Sequence, residues 1–266
     1  MGEMMLARLN DGLTFDQIMA AINDTNNVQP RQYFLHGPGG TGKTFLYNAL
    51  ITVLQGQVKQ VIAVASTGIA STLLMDGTTY HSQFKIYPPI TEATRSKIEE
   101  GSYNAQIIRN ASLIISDEAT MKTNHALDAI NHLFQTMMKK RNVPYGGKVL
   151  LLGGDFRQCL PVVRHGNPVR VTESTIRNNG TWPLFRQLRL VQNMRTAADS
   201  QDYAEWLIKL GNGTLEVEPR LKNQNLIEMQ TNLIEHVFGH PSQLLNQELQ
   251  TKFVIELSSA QKMAAR

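Results

Sequence analysis

The chain has 266 residues, with 26 Lys and Arg against 22 Asp and Glu, a formal net charge of +4 and a sequence pI near 9.2. Hydrophobic residues make up 42% and charged residues 18%, which is typical of a folded protein and too apolar for a disordered one. This length allows one full α/β domain and a partial second domain. The basic excess is compatible with a polyanionic partner but is too small to identify one.

Cellular location can be narrowed from the cysteine content and the N-terminus. The single cysteine, Cys159, excludes an internal disulfide, favours a reducing compartment and is interpreted as a small core residue. The N-terminus lacks the apolar core of a secretory signal, and Leu6 stands where a myristoylation signal has Ser or Thr. The longest apolar runs, such as residues 149–152, are far below the ~20 residues of a membrane span. We therefore expect an intracellular protein without a membrane segment.

Short apolar runs alternate with helix-like stretches from Tyr33 to Asp155, which is typical of a parallel sheet with helices on both faces. The predicted strands are residues 33–35, 61–65, 113–117 and 148–153. A helix over residues 43–55 follows the first strand, and a crossover helix precedes the fourth. The buried stripe of the crossover helix comprises Ala126, Leu127, Ile130, Leu133, Phe134 and Met137. The pattern predicts an α/β fold.

The alternation is interrupted at residues 84–104, where a polar, proline-containing stretch predicts a small insertion outside the sheet. A further helix from about Gln201 to Leu210 is predicted beyond the sheet, because glycines follow it. Residues 188–190 mark the place where a second module could begin. The predicted domains are therefore residues 1–186 and residues 187–266.

A phosphate-binding loop of the pattern G-x-x-x-x-G-K-[ST] comprises Gly37, Pro38, Gly39, Gly40, Thr41, Gly42, Lys43 and Thr44. Glycines let successive backbone N–H groups surround a phosphate, and the following helix N-terminus adds positive potential. Lys43 is expected to reach the β- and γ-phosphates of ATP, and Thr44 to hold Mg²⁺. A plain glycine-rich turn is the alternative, but the loop lies between a predicted strand and a predicted helix, as phosphate binding requires.

An acidic pair, Asp117 and Glu118, ends the third predicted strand. Asp117 has the position of the carboxylate that completes a Mg²⁺ site through its water shell. Glu118 can orient and deprotonate an attacking water, so the pair indicates hydrolysis better than one aspartate would. An isolated Asp-Glu pair is commonly a helix N-terminal charge, and only its combination with the upstream loop favours an ATP hydrolase.

Three further residues have open interpretations. Gln158 follows the fourth predicted strand, at the sheet edge of the phosphate loop, where it could sense the γ-phosphate or simply belong to a turn. Arg195 could supply positive charge to the transition state or be a surface residue. His81 has no partner at metal-ligand spacing, which favours a structural or polynucleotide-facing role over zinc binding.

Six segments of the chain carry a resemblance to a known protein family, and they occur in the order found in that family. They are FLHGPGGTGKTFLYNAL (34–50), VIAVASTGIAS (61–71), GTTYHSQFKI (77–86), LIISDEA (113–119), GGKVLLLGGDFRQCLPVV (146–163) and LVQNMR (190–195). Together they resemble the N-terminal motor domain of the Pif (petite integration frequency) family of 5′-to-3′ DNA helicases in superfamily one, in its Helitron-like branch. The resemblance implies a P-loop NTPase of the RecA-like type, with ATP and Mg²⁺ as cofactors and single-stranded DNA as partner. It also implies a monomer in the nucleus.

The resemblance assigns roles to individual residues. Gln17 resembles the glutamine that recognises adenine. Gln158 matches the γ-phosphate sensor, and Arg195 matches an arginine that reaches across the cleft from the second motor domain. The segments that grip single-stranded DNA in this family contain Thr67, Gly68, His81 and Ser82.

Family members continue through a second RecA-like domain with a late arginine finger, and residues 250–266 do not resemble that continuation. The preferred hypothesis is a helicase motor that translocates on single-stranded DNA and unwinds duplex in repair, recombination, telomere maintenance or transposition. A second hypothesis is a truncated remnant that binds nucleotide or DNA without unwinding. An unrelated P-loop protein is a third, although neither a kinase-type arginine-rich lid nor the helical lid of a ring ATPase is recognisable.

Overall fold

The computed structural model describes residues 13–24, 26, 29–158, 160–163, 166–191, 193–194, 201–212, 214, 226–228 and 254–256. The chain divides into two compact units, Met1–Ala198 and Asp199–Arg266. None of the helices in the described part of the chain combines the length and apolar composition needed to span a membrane.

A six-stranded sheet forms the centre of the first unit, in the order β3-β2-β4-β5-β1-β6, and all neighbouring strands are parallel. Its strands are β1 (Gln32–His36), β2 (Gln60–Ala65), β3 (Thr78–Thr79), β4 (Ala111–Asp117), β5 (Leu150–Gly154) and β6 (Arg186–Arg189). The four predicted strands are confirmed as β1, β2, β4 and β5, although β5 begins at Leu150 rather than at Lys148.

The helices of the first unit are α1 (Leu13–Asn23), α2 (Lys43–Gly56), α3 (Gly68–Thr72), α4 (Tyr80–Phe84), α5 (Tyr103–Asn110), α6 (Asn124–Met138) and α7 (Pro168–Glu173). Short 3₁₀ turns lie at Ala119–Met121, Pro144–Gly147, Ile176–Asn178 and Trp182–Leu184. The predicted stripe of α6 is confirmed, because all six of its residues are buried. They face the sheet at helical spacing, as an amphipathic helix on a sheet requires.

Two hydrophobic cores lie on opposite faces of the sheet, because side chains alternate along each strand. Phe34 of β1 packs in the core that contains α5 and α6. Its neighbours Tyr33 and Leu35 pack in the core that contains α1 and α2. Helices therefore cover both faces, and the predicted α/β, RecA-like P-loop fold is confirmed.

The sheet contains a further strand, β6, that was not predicted from the sequence. Arg186–Arg189 pairs in parallel with β1, with Leu35 opposite Leu188. The predicted division between residues 1–186 and 187–266 cuts through this strand, whereas the compact units divide after Ala198. β6 lies at the sheet edge and buries only Leu188, so its polar sequence shows no apolar run.

The segment predicted as an insertion, residues 84–104, lies between α4 and α5. Residues 85–102 form neither helix nor strand. Two of their apolar side chains, Ile86 and Ile98, are buried in the core of α5 and α6. The segment is therefore anchored to the sheet layer by side-chain packing rather than by strand pairing.

The second unit contains α8 (Gln201–Asn212), β7 (Leu226–Glu228) and β8 (Val254–Glu256). The two strands pair antiparallel, with Ile227 opposite Ile255. α8 was predicted to end at Leu210 and ends at Asn212 instead.

Candidate functional site

The carboxyl ends of the central strands bring the predicted motifs to one edge of the sheet. His36 at the end of β1 lies opposite Gly154 of β5, and Ala65 at the end of β2 lies opposite Asp117 of β4. In parallel α/β sheets this edge is where ligands bind. The phosphate loop, the acidic pair and the turn after β5 therefore share one edge.

The phosphate loop adopts a conformation that only glycines accept without strain. Gly40 and Gly42 have φ angles of 82° and 88°, in the left-handed region that disfavours side chains. A Cβ on Gly37 would lie 2.5 Å from Thr41 Oγ1. The Gly37 N–H donates a hydrogen bond to the Gly154 carbonyl at 3.3 Å, which fixes the loop on β5. These contacts form the cradle that a phosphate group requires, and α2 begins immediately after it at Lys43.

Lys43 places its positive charge over this cradle. Its Nζ donates to the Gly37 carbonyl at 2.6 Å and lies 3.4 Å from the Pro38 carbonyl. Both acceptors are neutral loop carbonyls, so anionic phosphate oxygens are stronger acceptors for the same ammonium protons. Thr44 follows in the first turn of α2 and is partly buried.

The acidic pair is held in a strained turn at the end of β4. Asp117 is 5% exposed, and its Oδ1 accepts the Glu118 N–H at 2.9 Å and lies 3.5 Å from the Tyr47 hydroxyl. Glu118 has φ 51° and ψ 38°, a left-handed conformation that is uncommon for a residue with a side chain. Such strain is found where the surrounding structure aims a functional group.

Burial sets the proton affinity of both carboxylates. It raises the pKa of Asp117, although the Glu118 N–H and the charges of Lys43 and Lys122 oppose the increase. Burial and the neighbouring Asp117 charge raise the pKa of Glu118, again against Lys43 and Lys122. A carboxylate with a raised pKa is a better proton acceptor, which suits Glu118 to deprotonating water.

The oxygen donors at this edge fit a magnesium ion. Thr44 and Tyr47 lie three positions apart on α2 and so share one face of the helix. Because Tyr47 contacts Asp117, this helix face is turned towards the carboxylate. In the described ranges no cluster of three His, Cys, Asp or Glu side chains is placed to hold a metal. A P-loop site needs only the Thr hydroxyl, one carboxylate, water and phosphate oxygens.

Gln17 lies in α1, and one polar atom of its side chain is buried without a hydrogen bond from the described residues. Its Oε1 is buried and has no hydrogen-bond partner among the residues that the structure describes. The Gln17 backbone carbonyl lies 3.4 Å from the Tyr33 hydroxyl, which ties this helix to β1. A buried amide oxygen without a partner costs free energy, and a ligand amino group such as that of adenine would relieve the cost.

Gln158 is exposed in the turn that follows β5. Its N–H donates to the Asp155 carbonyl at 3.0 Å. Asp155 itself is bound by Arg157 Nε at 2.9 Å and His36 Nε2 at 3.4 Å. Burial raises the pKa of Asp155, but the hydrogen bonds from His36 and Arg157 outweigh it and lower the pKa to about 2. His36 and Asp155, which fix this turn beside the loop, were not predicted from the sequence as site residues.

Two predicted residues, Arg195 and Cys159, lie outside the described residues. The segment before Arg195 does reach the phosphate loop, because the Met194 N–H donates to the Gly40 carbonyl at 2.8 Å.

The candidate DNA segments lie at the same sheet edge, on α3 and α4. Thr67 caps α3 by accepting the Ala70 N–H at 3.2 Å, and Gly68, the first residue of that helix, is exposed. His81 Nδ1 lies 2.7 Å from the Ile86 carbonyl oxygen, and Ser82 is exposed. A cavity of about 800 Å³ opens beside them, lined in part by Ser66, Tyr80, His81 and Lys122.

Lys122 is a buried cation that was not predicted from the sequence. It follows the 3₁₀ turn after the acidic pair and is 7% exposed. Burial lowers its pKa to about 7, although the charges of Asp117 and Glu118 oppose the decrease. Its position in a short polar turn is typical of a surface lysine, so no sequence signal distinguished it.

Comparison with known proteins places these features in a family context. The family model described as PIF1-like helicase matches residues 12–220. The ATP-dependent DNA helicase Pif1 of Psychrobacter sp. (strain PRwf-1) is 31% identical over 142 residues, which cover 53% of this chain and 21% of that protein. The ATP-dependent DNA helicase PIF1 of Homo sapiens is 28% identical over 150 residues, covering 54% of this chain and 22% of the relative.

Two solved Pif1 helicases have a fold similar to that of this chain. The Pif1 helicase from Bacteroides in complex with ADP-AlF3 and single-stranded DNA has a TM-score of 0.64 and 25% identity, covering 78% of this chain and 47% of that chain. The Pif1 helicase from Candida albicans has a TM-score of 0.62 at 24% identity, which supports the fold, and covers 80% of this chain and 45% of its own. The chain thus spans about half of these solved chains and a smaller share of the two sequence relatives.

Proposed function

The chain belongs to the PIF1-like helicase family, and on this basis we propose that it is an ATP-hydrolysing motor domain that acts on single-stranded DNA. The proposal rests on one observation. The phosphate loop with Lys43, the buried Asp117 and the strained Glu118 lie together at one edge of the sheet. The family match argues against the unrelated P-loop proteins considered from the sequence.

Residues of the loop and of α1 bind the nucleotide in this proposal. Backbone N–H groups of residues 37–44 surround the phosphates, and Lys43 moves its ammonium from the loop carbonyls to the β- and γ-phosphate oxygens. Gln17 accepts a hydrogen bond from adenine at its unpaired Oε1. Thr44 and Asp117 hold Mg²⁺, which neutralises phosphate charge.

Hydrolysis depends on the residues that follow the strands. Glu118 orients the attacking water and accepts its proton, which its raised pKa favours. Gln158, at the turn fixed by Asp155, responds to the γ-phosphate. Arg195 supplies positive charge to the transition state.

Single-stranded DNA lies against α3 and α4 in this proposal, where Thr67, Gly68, His81 and Ser82 contact it. Gly68 and Ser82 are exposed, and His81 lines the 800 Å³ cavity, which supports the assignment. The Bacteroides relative has been solved with ADP-AlF3 and single-stranded DNA together, which supports one motor with both ligands. The proposal also includes a monomer, a nuclear location and 5′-to-3′ movement. Because residues 187–189 belong to β6 of the first sheet, the proposed second RecA-like domain starts after Ala198 rather than at residue 187.

The test is an ATPase assay with and without single-stranded DNA. We expect DNA to stimulate hydrolysis, and Lys43→Ala to lower both rates by at least about 100-fold because it removes charge stabilisation at the phosphates. Lys140→Ala is the matched control, since it removes an exposed lysine at the far end of α6 and should leave both rates unchanged. An ATPase rate that does not change when single-stranded DNA is added would contradict the proposal.

A further inference from the structure

Lys122 carries a buried positive charge that nucleotide binding does not require. Its Nζ donates to Ser66 Oγ and to Ser116 Oγ, each at 2.9 Å, and lies 4.9 Å from the centroid of the Tyr80 ring. A buried ammonium is costly unless its protons find partners. Two hydroxyls and one aromatic face provide these partners, so the lysine is held in a single position.

The two hydroxyls lie beside the acidic pair. Ser116 directly precedes Asp117 in β4. Ser66 Oγ donates its own proton to the Glu118 carbonyl at 2.7 Å. Because Lys122 Nζ donates to Ser66 Oγ, the serine proton is directed to the Glu118 carbonyl. The chain of bonds from Lys122 through Ser66 fixes the backbone of Glu118.

This chain of bonds acts on a strained residue. Glu118 holds φ 51° and ψ 38°, which a residue with a Cβ adopts only when its surroundings impose it. The hydrogen bond that its carbonyl accepts from Ser66 is one such restraint. Weakening it lets Glu118 relax and moves the carboxylate away from the attacking water.

The same ammonium also contacts the candidate DNA segments. Ser66 directly precedes Thr67, the cap of α3. Tyr80 precedes His81 in α4, and its hydroxyl donates to the Ala126 carbonyl at 2.8 Å. The rings of Tyr80 and His81 meet edge to face, with centroids 5.4 Å apart. A shift of either segment is therefore transmitted to Lys122 through direct contacts.

We infer that Lys122 is a positioning residue, which couples DNA contact at α3 and α4 to hydrolysis by holding Glu118 through Ser66. The inference rests on the proposed function, since it concerns DNA stimulation of the same ATPase. Lys122 acts on hydrolysis through Ser66 and Glu118 in this arrangement, rather than by contact with the nucleotide. Its removal is therefore expected to lower the DNA-stimulated rate and to leave ATP binding unchanged.

The experiment measures ATPase rates of the full chain over a series of single-stranded DNA concentrations. Lys122→Met keeps the apolar length and removes the charge. We expect its DNA-stimulated rate to fall at least about tenfold, while the KM for ATP stays within about twofold. Ser66→Ala leaves the ammonium on Ser116 but breaks the link to Glu118, so it should give the same loss, and the double variant should be no worse than either single variant.

Lys148→Met is the matched control. Lys148 is also buried, and its ammonium donates to the carbonyls of Arg109 and Ala111 at the opposite edge of the sheet. Removing this charge should lower stability without changing DNA stimulation. Equal losses in Lys122→Met and Lys148→Met would show that buried charge acts only through stability and would overturn the inference.

The outcomes separate this inference from the proposed function. Normal stimulation in Lys122→Met or in Ser66→Ala, with a stimulated wild type, overturns the coupling role alone. A wild type that hydrolyses ATP without any response to DNA overturns both. If Lys122→Met does not fold, Ser66→Ala decides the question, because it is a smaller change at a half-buried residue.

Discussion

The space around Asp117 is limited by an aromatic side chain and a glycine. Tyr47 is fully buried on α2, and its hydroxyl approaches both the carboxylate and Gly153 of β5. A Cβ on Gly153 would collide with the Tyr47 hydroxyl, lie 2.8 Å from Cζ and lie 3.5 Å from Asp117 Oδ1. The position therefore requires glycine because three elements meet there.

Gly153→Ala is expected to destabilise the protein by about 1–3 kcal/mol, since the added methyl group overpacks a closed site. Tyr47→Phe removes the atom in the worst collision, so the double variant should be more stable than Gly153→Ala alone. Urea unfolding of the wild type, the two single variants and the double variant measures this coupling. Gly101→Ala is the control, because a Cβ there meets nothing within 4 Å. Simple additivity of the two changes would contradict the predicted collision.

Asp155 makes stability depend on pH. Its folded pKa of about 2 is below its usual value of 3.8, so the charged form is favoured by folding. The resulting stability is present above pH 3.8 and is lost as the pH falls through about 2. From this shift we expect Asp155→Asn to cost about 2 kcal/mol at neutral pH.

Urea unfolding at a series of pH values from 7 downwards checks this expectation. The difference between wild type and Asp155→Asn should shrink as the pH approaches 2. Glu92→Gln, at an exposed carboxylate, should show a difference within about 0.5 kcal/mol throughout. A loss from Asp155→Asn that stays constant with pH would show that its ionisation is not responsible.

At the scale of elements, the sequence predicted those that bury an apolar run or stripe. The central strands and α6 have such patterns, because both faces of the sheet or one full helix face must be apolar. β3 has only two residues and β6 buries one, so neither has a recognisable pattern. The phosphate loop and the acidic pair were predictable because their chemistry fixes local spacing. Tyr47 and Lys122 were not, since Asp117 is 70 residues from Tyr47 and Ser66 is 56 residues from Lys122 in the sequence.

The packing of α6 against the sheet can be tested by mutation. Phe134 is fully buried on its inner face and meets the Phe84 ring edge to face at 5.5 Å. Phe134→Ala should cost about 3–5 kcal/mol through lost burial and the cavity it leaves. Thermal or urea unfolding measures the loss, and His132→Ala on the exposed side of the same helix is the control. Similar costs for the two changes would contradict the packing of α6 against the sheet.

At the scale of the whole molecule, the chain covers 47% of the solved Bacteroides relative and smaller shares of the two sequence relatives. Apart from Gln17 in α1, the described residues proposed to bind nucleotide lie along one edge of one sheet. In the superfamily that the sequence resembles, hydrolysis takes place in a cleft between two motor domains. In the proposed function one edge alone binds nucleotide, because the loop, Lys43 and the acidic pair all lie on it.

We therefore expect the 266-residue chain to bind Mg-ATP but not to separate DNA strands by itself. A duplex with a 5′ single-stranded tail and a fluorescent label on the displaced strand is the substrate, and a blunt duplex is its control. Nucleotide binding and hydrolysis should depend on Lys43, whereas no strand should be released, because the chain covers only 47% of the solved Bacteroides helicase. Release from the tailed duplex would contradict this expectation. Light scattering during the assay would then decide whether two copies of the chain act together.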